Sequence, residues 1–140
     1  MSGSLSISAI DEEVSAALKR FRADQSKTLN CLVLKIDPQC QKFLLDELYV
    51  DVSVDEIRDE LPARQPRFLL ISYPLKHPDG RISYPLCLGF ISPSGCNPEL
   101  LMLYAGSRNT LTAACNPGKS FQLQDVDEFT HEFLDEKMRA

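Results

Sequence analysis

The chain has 140 residues, 44% of them hydrophobic and 25% charged, with a formal net charge of −5. These values are ordinary for one water-soluble globular domain with a single compact core. No run of 18 apolar residues is available to span a bilayer, and the acidic balance works against nonspecific binding to nucleic acid or acidic lipid.

Near the start, Ser8-Ala-Ile-Asp11 has the form of a capping box with Asp in place of Glu, and Ile10, Val14, Ala17, Leu18 and Phe21 follow at helical spacing. The pattern predicts an amphipathic helix over residues 9–23. Lys19, Arg20 and Arg22 sit near its C-terminus, where positive charge offsets the helix dipole, and with Lys27 they form a basic patch. Residues 29–36 and 42–48 are β-rich and flank Asp37-Pro-Gln39, a turn signal that makes them a hairpin. Ser53-Val-Asp-Glu56 is a capping box, and Val54, Ile57 and Leu61 carry a short second helix to Pro62.

Residues 67–73 and 81–92 predict a longer hairpin turned at Asp79-Gly80. Its second strand alternates Ile82, Tyr84, Leu86, Leu88 and Phe90 with Cys87, Gly89 and Ile91. Neither face of that strand is polar, so both should be covered, and Pro85 marks a bulge or a free edge. Asn97 as N-cap, Pro98 at the first position and Asn116-Pro117-Gly118 as a stop bound a third helix of about 18 residues, roughly 27 Å long. Residues 121–124 form a short strand, and Asp125-Val-Asp-Glu128 is expected to cap a last helix with Phe129, Phe133 and Leu134 inward. The order α-ββ-α-ββ-α-β-α predicts a layered α/β (α+β) fold: a central mixed sheet of about five strands with helices on both faces.

The third helix carries a surplus. Residues 100–104 are five consecutive apolar side chains, and at about 100° per residue such a run covers the whole circumference. Part of it must meet a second covering layer or a partner. Gly106, in mid-helix, costs roughly 1 kcal/mol relative to Ala and points to a bend or to close approach by another chain. The acids Asp125, Asp127, Glu128, Glu132, Asp135 and Glu136 gather at the other end of the sequence, which makes the surface bipolar.

Chemistry is sparse. His77 and His131 lie at no metal-ligand spacing, and there is no phosphate-cradling glycine loop and no calcium loop, so neither a metal nor a cofactor is expected. Cys31, Cys40, Cys87, Cys96 and Cys115 form an odd set without Cys-x-x-Cys spacing, as reduced thiols would. A nucleophile at Cys87 or Cys96 with His77 as base has no supporting local motif. No catalytic residue is assigned. The start, Met-Ser-Gly-Ser-Leu-Ser-Ile-Ser, lacks the basic and apolar regions of a secretion signal, so cytoplasmic residence is expected.

With this order of elements, Met102-Leu-Tyr-Ala105 followed by Ser107 resembles the core of the actin-depolymerising-factor (ADF) homology family. Leu44-Leu-Asp-Glu47, Asp55-Glu-Ile-Arg-Asp-Glu-Leu-Pro62, Arg64-Gln-Pro-Arg-Phe68, Asp79-Gly-Arg-Ile-Ser-Tyr-Pro-Leu-Cys87 and Tyr104-Ala-Gly-Ser107 are similar to the glia maturation factors within it. The resemblance covers nearly the whole chain and implies a single ADF-homology domain over residues 1–140, with residues 1–8 flexible. It implies a monomeric regulator in the actin-rich cortex and lamellipodia-like regions. Such a regulator binds the actin-related protein 2/3 complex, inhibits branched nucleation and promotes debranching, with weak actin contact at the branch junction. The alternative is cofilin-like actin binding with severing or depolymerisation. Actin-binding members carry bases just before the Met-aliphatic-Tyr-Ala element, whereas this chain has Glu99 and Leu101. Against an acidic actin surface that exchange costs several kcal/mol, if each charged contact contributes about 1.5–3.

Carried over by position, a first surface comprises Ser2, Gly3, Ser4, Lys19, Arg20, Arg22, Leu101, Met102, Leu103, Gly106, Ser107, Arg108 and Asn109. Met102 and Leu103 would wedge into a groove of an actin-related subunit, and Gly106 and Ser107 would allow close backbone approach. Phosphate on Ser2 would weaken binding if that groove is acidic. A second, debranching surface comprises Lys76, His77, Asp79, Arg81, Glu132 and Asp135, facing the first actin subunit of the daughter filament.

Overall fold

Residues 31–34 and 67–71 are buried without a break, so the strands that hold them must be covered on both faces. The structure, a computed structural model, describes residues 10–24 and 26–140. The expected flexible run 1–8 and Ser8 of the first capping box lie outside the described residues. Helix α1 (Glu12–Ala23) is capped instead by Asp11, whose carboxylate accepts the Val14 N–H at 3.1 Å.

Strands β1 (Asn30–Asp37) and β2 (Lys42–Tyr49) form the first hairpin, turned where Asp37 accepts the Gln39 and Gln41 amides at 2.9 and 2.7 Å. Helix α2 (Val54–Glu60) starts on the Ser53 hydroxyl, which accepts the Glu56 N–H at 3.1 Å. The expected strand over residues 81–92 divides at Pro85, which has no N–H to give to a ladder. After β3 (Arg67–Ser72), β4 (Leu75–Lys76) and β5 (Ile82–Ser83) make a small two-stranded sheet, and β6 (Leu86–Ile91) joins the main one. The Pro85 carbonyl accepts the Tyr73 N–H at 3.1 Å and holds the two pieces in line.

The main sheet has the order β2-β1-β3-β6-β7, antiparallel except for the β6–β7 pair. A parallel neighbour needs a crossover, and α3 (Pro98–Cys115) supplies it before β7 (Lys119–Leu123). Asn97 caps α3 by accepting the Glu99 and Leu100 amides, and Asn116 ends it in the left-handed region at φ +48°. The last helix starts later than its acidic run implies. Asp125 caps a 3-10 turn over Val126–Glu128, Phe129 is buried in the loop, and Thr130 caps α4 (His131–Arg139). Leu134 and Met138 are its buried residues; Phe133 is only half-buried.

The five-stranded mixed sheet with helices on both faces is therefore present. Val14, Leu18 and Phe21 of α1 and Leu103, Tyr104 and Leu111 of α3 pack with Leu34, Phe68, Leu70 and Phe90 on one face. Val54 and Ile57 of α2, Phe129, and Leu134 and Met138 of α4 pack with Val33, Leu69, Ile71 and Phe121 on the other.

Gly89 of β6 faces this second core and lies directly under Phe121 of β7, its register partner. A Cβ built there would meet the tip of the ring at 2.4 Å. The ring cannot swing aside freely, because it stacks on Phe129 at 5.9 Å and meets Phe133 edge-on at 5.2 Å. Gly89→Ala is predicted to destabilise the fold by about 1–3 kcal/mol through overpacking. Denaturant melts should show this as a lower midpoint at unchanged slope; a neutral result would mean that the aromatic cluster yields.

Candidate partner-binding surfaces

Tyr104 sets the rotation of α3. It is 1% exposed, its ring lies 5.5 Å from Phe68, and its hydroxyl accepts the Ile36 N–H at 2.8 Å. Leu103, Ser107, Leu111 and Cys115 turn inward with it. With about 100° between residues, Met102, Ala105, Gly106 and Asn109 must then face outward, and all four are exposed. Met102 is 60% exposed, the highest value among the exposed large apolar side chains of the described residues.

Two members of the expected first surface are corrected by this phase. Leu103 is 4% exposed and cannot wedge into a partner. Ser107 is wholly buried, and its hydroxyl donates to the Leu103 carbonyl at 2.7 Å, so close approach is left to Gly106 and Ala105. Leu101 is half-buried against the core, and Arg108 lies on a flank where it donates to Gln122 of β7 at 3.3 Å.

Lys19, Arg20 and Arg22 are all exposed but do not make one cluster. Arg22 lies on the flank toward α3, where its charge opposes the rise that burial imposes on the Cys115 thiol, which stands at about 12. Cys115 is the last residue of α3, roughly 20 Å along the axis from Met102. Arg20 lies on the opposite flank, over a groove beside β2. Ser2, Gly3 and Ser4 lie outside the described residues.

The second surface is joined by residues that sequence reasoning missed. In the tip between β4 and β5, Arg81 pairs with Asp79 at 2.7 Å, the His77 N–H donates to the Arg81 carbonyl at 2.8 Å, and His77 Nε2 meets Ser83 Oγ at 2.8 Å. Arg139, near the end of α4, donates to the Lys76 carbonyl at 2.9 Å and to Asp135 at 2.8 Å. It thereby ties the tip hairpin to the helix. The i,i+4 spacing of Asp135 and Arg139 was readable as a helical ion pair, but its reach to Lys76 was not. Tyr73, 3% exposed, donates its hydroxyl to the other Asp135 oxygen at 2.5 Å. Glu132 stands exposed on the same helix.

The thiols show no sign of activation. Burial pushes Cys87 up to about 12, Cys96 donates to the Pro93 carbonyl at 2.7 Å, and Cys31 is pushed up by burial first and by Cys87 second. Among the described residues no group of three or more His, Cys, Asp or Glu could hold a metal ion, and no helix is long and apolar enough to cross a membrane.

Against known proteins, the family profile described as cofilin/tropomyosin-type actin-binding protein matches residues 7–139. Glia maturation factor beta of Homo sapiens is 42% identical over 99% of this chain and 97% of its own length. Glia maturation factor of Drosophila melanogaster is 39% identical over 93% and 94%. The solution structure of glia maturation factor from Caenorhabditis elegans superposes with a TM-score of 0.85 at 44% identity, covering 98% of this chain and 99% of that one.

The tip–helix junction has a pH signature. Hydrogen bonds from Arg139 first, and from Tyr73 second, hold the Asp135 carboxyl below the usual carboxylate range. A carboxyl depressed in the folded state adds stability that is present above its unfolded pKa and is lost as pH falls through its folded one. Tyr73→Phe is predicted to raise the Asp135 pKa part of the way back, because Arg139 remains, and to cost about 1.5–2 kcal/mol at neutral pH. Carboxyl-detected NMR titration with melts from neutral pH to about pH 2 checks both. An unmoved Asp135 titration would show that the tyrosine contact carries no weight.

Proposed function

Because the chain belongs to the cofilin/tropomyosin-type actin-binding family, within its glia maturation factor branch, we propose that it binds the actin-related protein 2/3 complex. In this reading it inhibits the nucleation of new branches and dissociates existing ones in the cytoplasmic actin cortex and lamellipodia-like regions. The observation that carries the reading is the outer stripe of α3. Met102 stands 60% exposed among Ala105, Gly106 and Asn109, while the first turn of the helix holds the acid Glu99 and no base.

A partner that is itself acidic would require cations at that turn. An apolar groove in an actin-related subunit requires instead a projecting side chain beside a flat backbone, which Met102, Ala105 and Gly106 offer. The same stripe disfavours cofilin-like severing or depolymerisation, which relies on the absent bases. Lys19 and Arg22, at the far end of α1, would touch a second part of the same large assembly. Modification of Ser2 would act by adding negative charge near the partner.

The proposed action is mechanical. No bond of a substrate changes; binding stabilises a branch-junction geometry that the attached filament cannot share. The tip from Lys76 to Arg81, braced on α4 by Arg139, would meet the first actin subunit of the daughter filament. A monomer suffices for this, and neither a cofactor nor a nucleic acid nor a membrane enters it.

Met102→Ala is predicted to weaken pull-down of the purified branching complex about five- to tenfold without lowering the melting temperature, as truncation of a central interface anchor does. Arg22→Ala should weaken it less, since its contact is peripheral and screened. Unchanged affinity for both variants would overturn the surface. Pyrene-actin assembly with and without the branching complex separates the readings, because inhibition in its absence would favour the cofilin-like alternative.

A further inference from the structure

Strand β2 ends the main sheet. One edge pairs with β1, and among the described residues no strand pairs with the other. Free edges are normally disguised. This one is only partly so, by the bulge at Asp46 and the charges of Asp46 and Glu47, because it also exposes apolar side chains: Leu48 is 57% exposed, Leu44 is 37% exposed, and Val50 just beyond the strand is 50% exposed.

The two faces beside this edge differ in chemistry. On the α1 face lies a mainly apolar groove of about 600 Å³, walled by Ala17 and Phe21 of α1 and by Leu32, Leu45 and Leu48 of the sheet, with Arg20, Asp24, Asp46 and Glu47 as its charged lining residues. On the α2 face lies a hollow of about 480 Å³ lined by Glu47, Tyr49, Glu56, Asp59 and Glu60. Burial first, then Glu47 and Glu60, push the Tyr49 phenol up, as expected where those carboxylates converge. Arg58, the cation of α2, is held by Asp55 at 2.9 Å and by the Phe129 carbonyl at 3.2 Å, and reaches Asp59 only at 3.9 Å. Asp46, in the bulged stretch of β2, is occupied by Arg67 at 3.0 Å and Lys35 at 3.6 Å, so it does not compete for a ligand.

A strand laid along β2 would send alternate side chains to the two faces, because the side-chain period of a strand is two. A helix resting on one face could reach only one of them. We propose that the free edge of β2 receives an extended segment of another protein in which apolar and basic residues alternate, the apolar ones entering the α1 groove and the Lys or Arg side chains entering the acidic α2 hollow. The bulge at Asp46 limits the pairing to a short stretch. A second copy of this chain is disfavoured as occupant, since pairing β2 with itself would bring two acidic hollows together. This surface is distinct from the outer stripe of α3 and does not depend on it.

The test is an NMR titration of the isotope-labelled full chain with the capped heptapeptide Lys-Val-Lys-Val-Lys-Val-Lys. The expected result is shift changes confined to residues 43–50, 17–24 and 56–60. Leu48→Lys should weaken binding about tenfold, as should Glu47→Gln with Glu60→Gln; these are exposed positions whose exchange does not threaten folding. The same peptide with its alternate backbone amides methylated should not bind, because it cannot pair with an edge. Equal binding of the methylated peptide, shifts scattered over the acidic surface of α4, or dimerisation through β2 in sedimentation would each overturn the proposal.

Discussion

The hydrogen bond from the Ile36 amide to the Tyr104 hydroxyl, 2.8 Å long, is the constraint on which the exposed surface of this protein depends. Helix α3 crosses a face of the sheet made of aliphatic and aromatic side chains, and such a surface alone accepts several helix rotations of similar energy. One polar bond, reached only from one rotation and buried at both ends, removes that freedom. Tyr104 is flanked by Phe68 at 5.5 Å and by Phe90 at 6.4 Å, the latter with its ring parallel to that of Tyr104, and burial pushes its phenol up, so it stays neutral. Once Tyr104 points inward, Met102 must point about 160° away in projection from the middle of the buried stripe.

The other face of the sheet is held by different means. There the helices are short, seven residues in α2 and nine in α4, and they bury fewer side chains each. Aromatic contacts compensate: Phe121 sits on Gly89 and between Phe129 and Phe133, which locks the parallel β6–β7 pair against the loop that precedes α4. Arg139 and Tyr73 then converge on Asp135, and Arg139 continues to the Lys76 carbonyl. The tip hairpin projects from the sheet, yet its base is fixed to the C-terminal helix by charge-assisted bonds.

Much of the architecture was legible because local chemistry and hydrophobic period agree in most elements. The N-cap Asn97, Pro98 and the left-handed Asn116 bound α3 in sequence and in structure alike, and the Ser53 cap does the same for α2. The misreadings occurred where one local signal serves two structures. Asp125 caps a single 3-10 turn with the same side-chain bond that would start a longer helix, and the true cap, Thr130, follows a buried Phe129. Five apolar residues in a row imply a surplus on α3 but not its direction; only the tertiary bond at Tyr104 separates the buried Leu103 and Ser107 from the exposed Met102. Likewise, helical spacing separates Arg20 from Arg22, but which flank faces α3 depends on how α1 lies on the sheet.

The first turn of α3 shows how helix stability and recognition bear on the same residue. The N-terminus of a helix carries partial positive charge, so an acid there is favourable and a base is unfavourable. A protein that must grip an acidic partner with bases at that turn therefore works against its own helix, and gains from the contact only what exceeds that cost. Glu99 removes the conflict: it follows the Asn97 cap and suits the dipole, but it withdraws the cation an acidic partner would need. Under the proposed function, what remains for recognition is shape, a projecting methionine beside Ala105 and Gly106. Shape recognition of this kind depends on the rotation of α3 more strictly than charge does, because a side chain displaced by one position would miss a groove that a long-range field would still find.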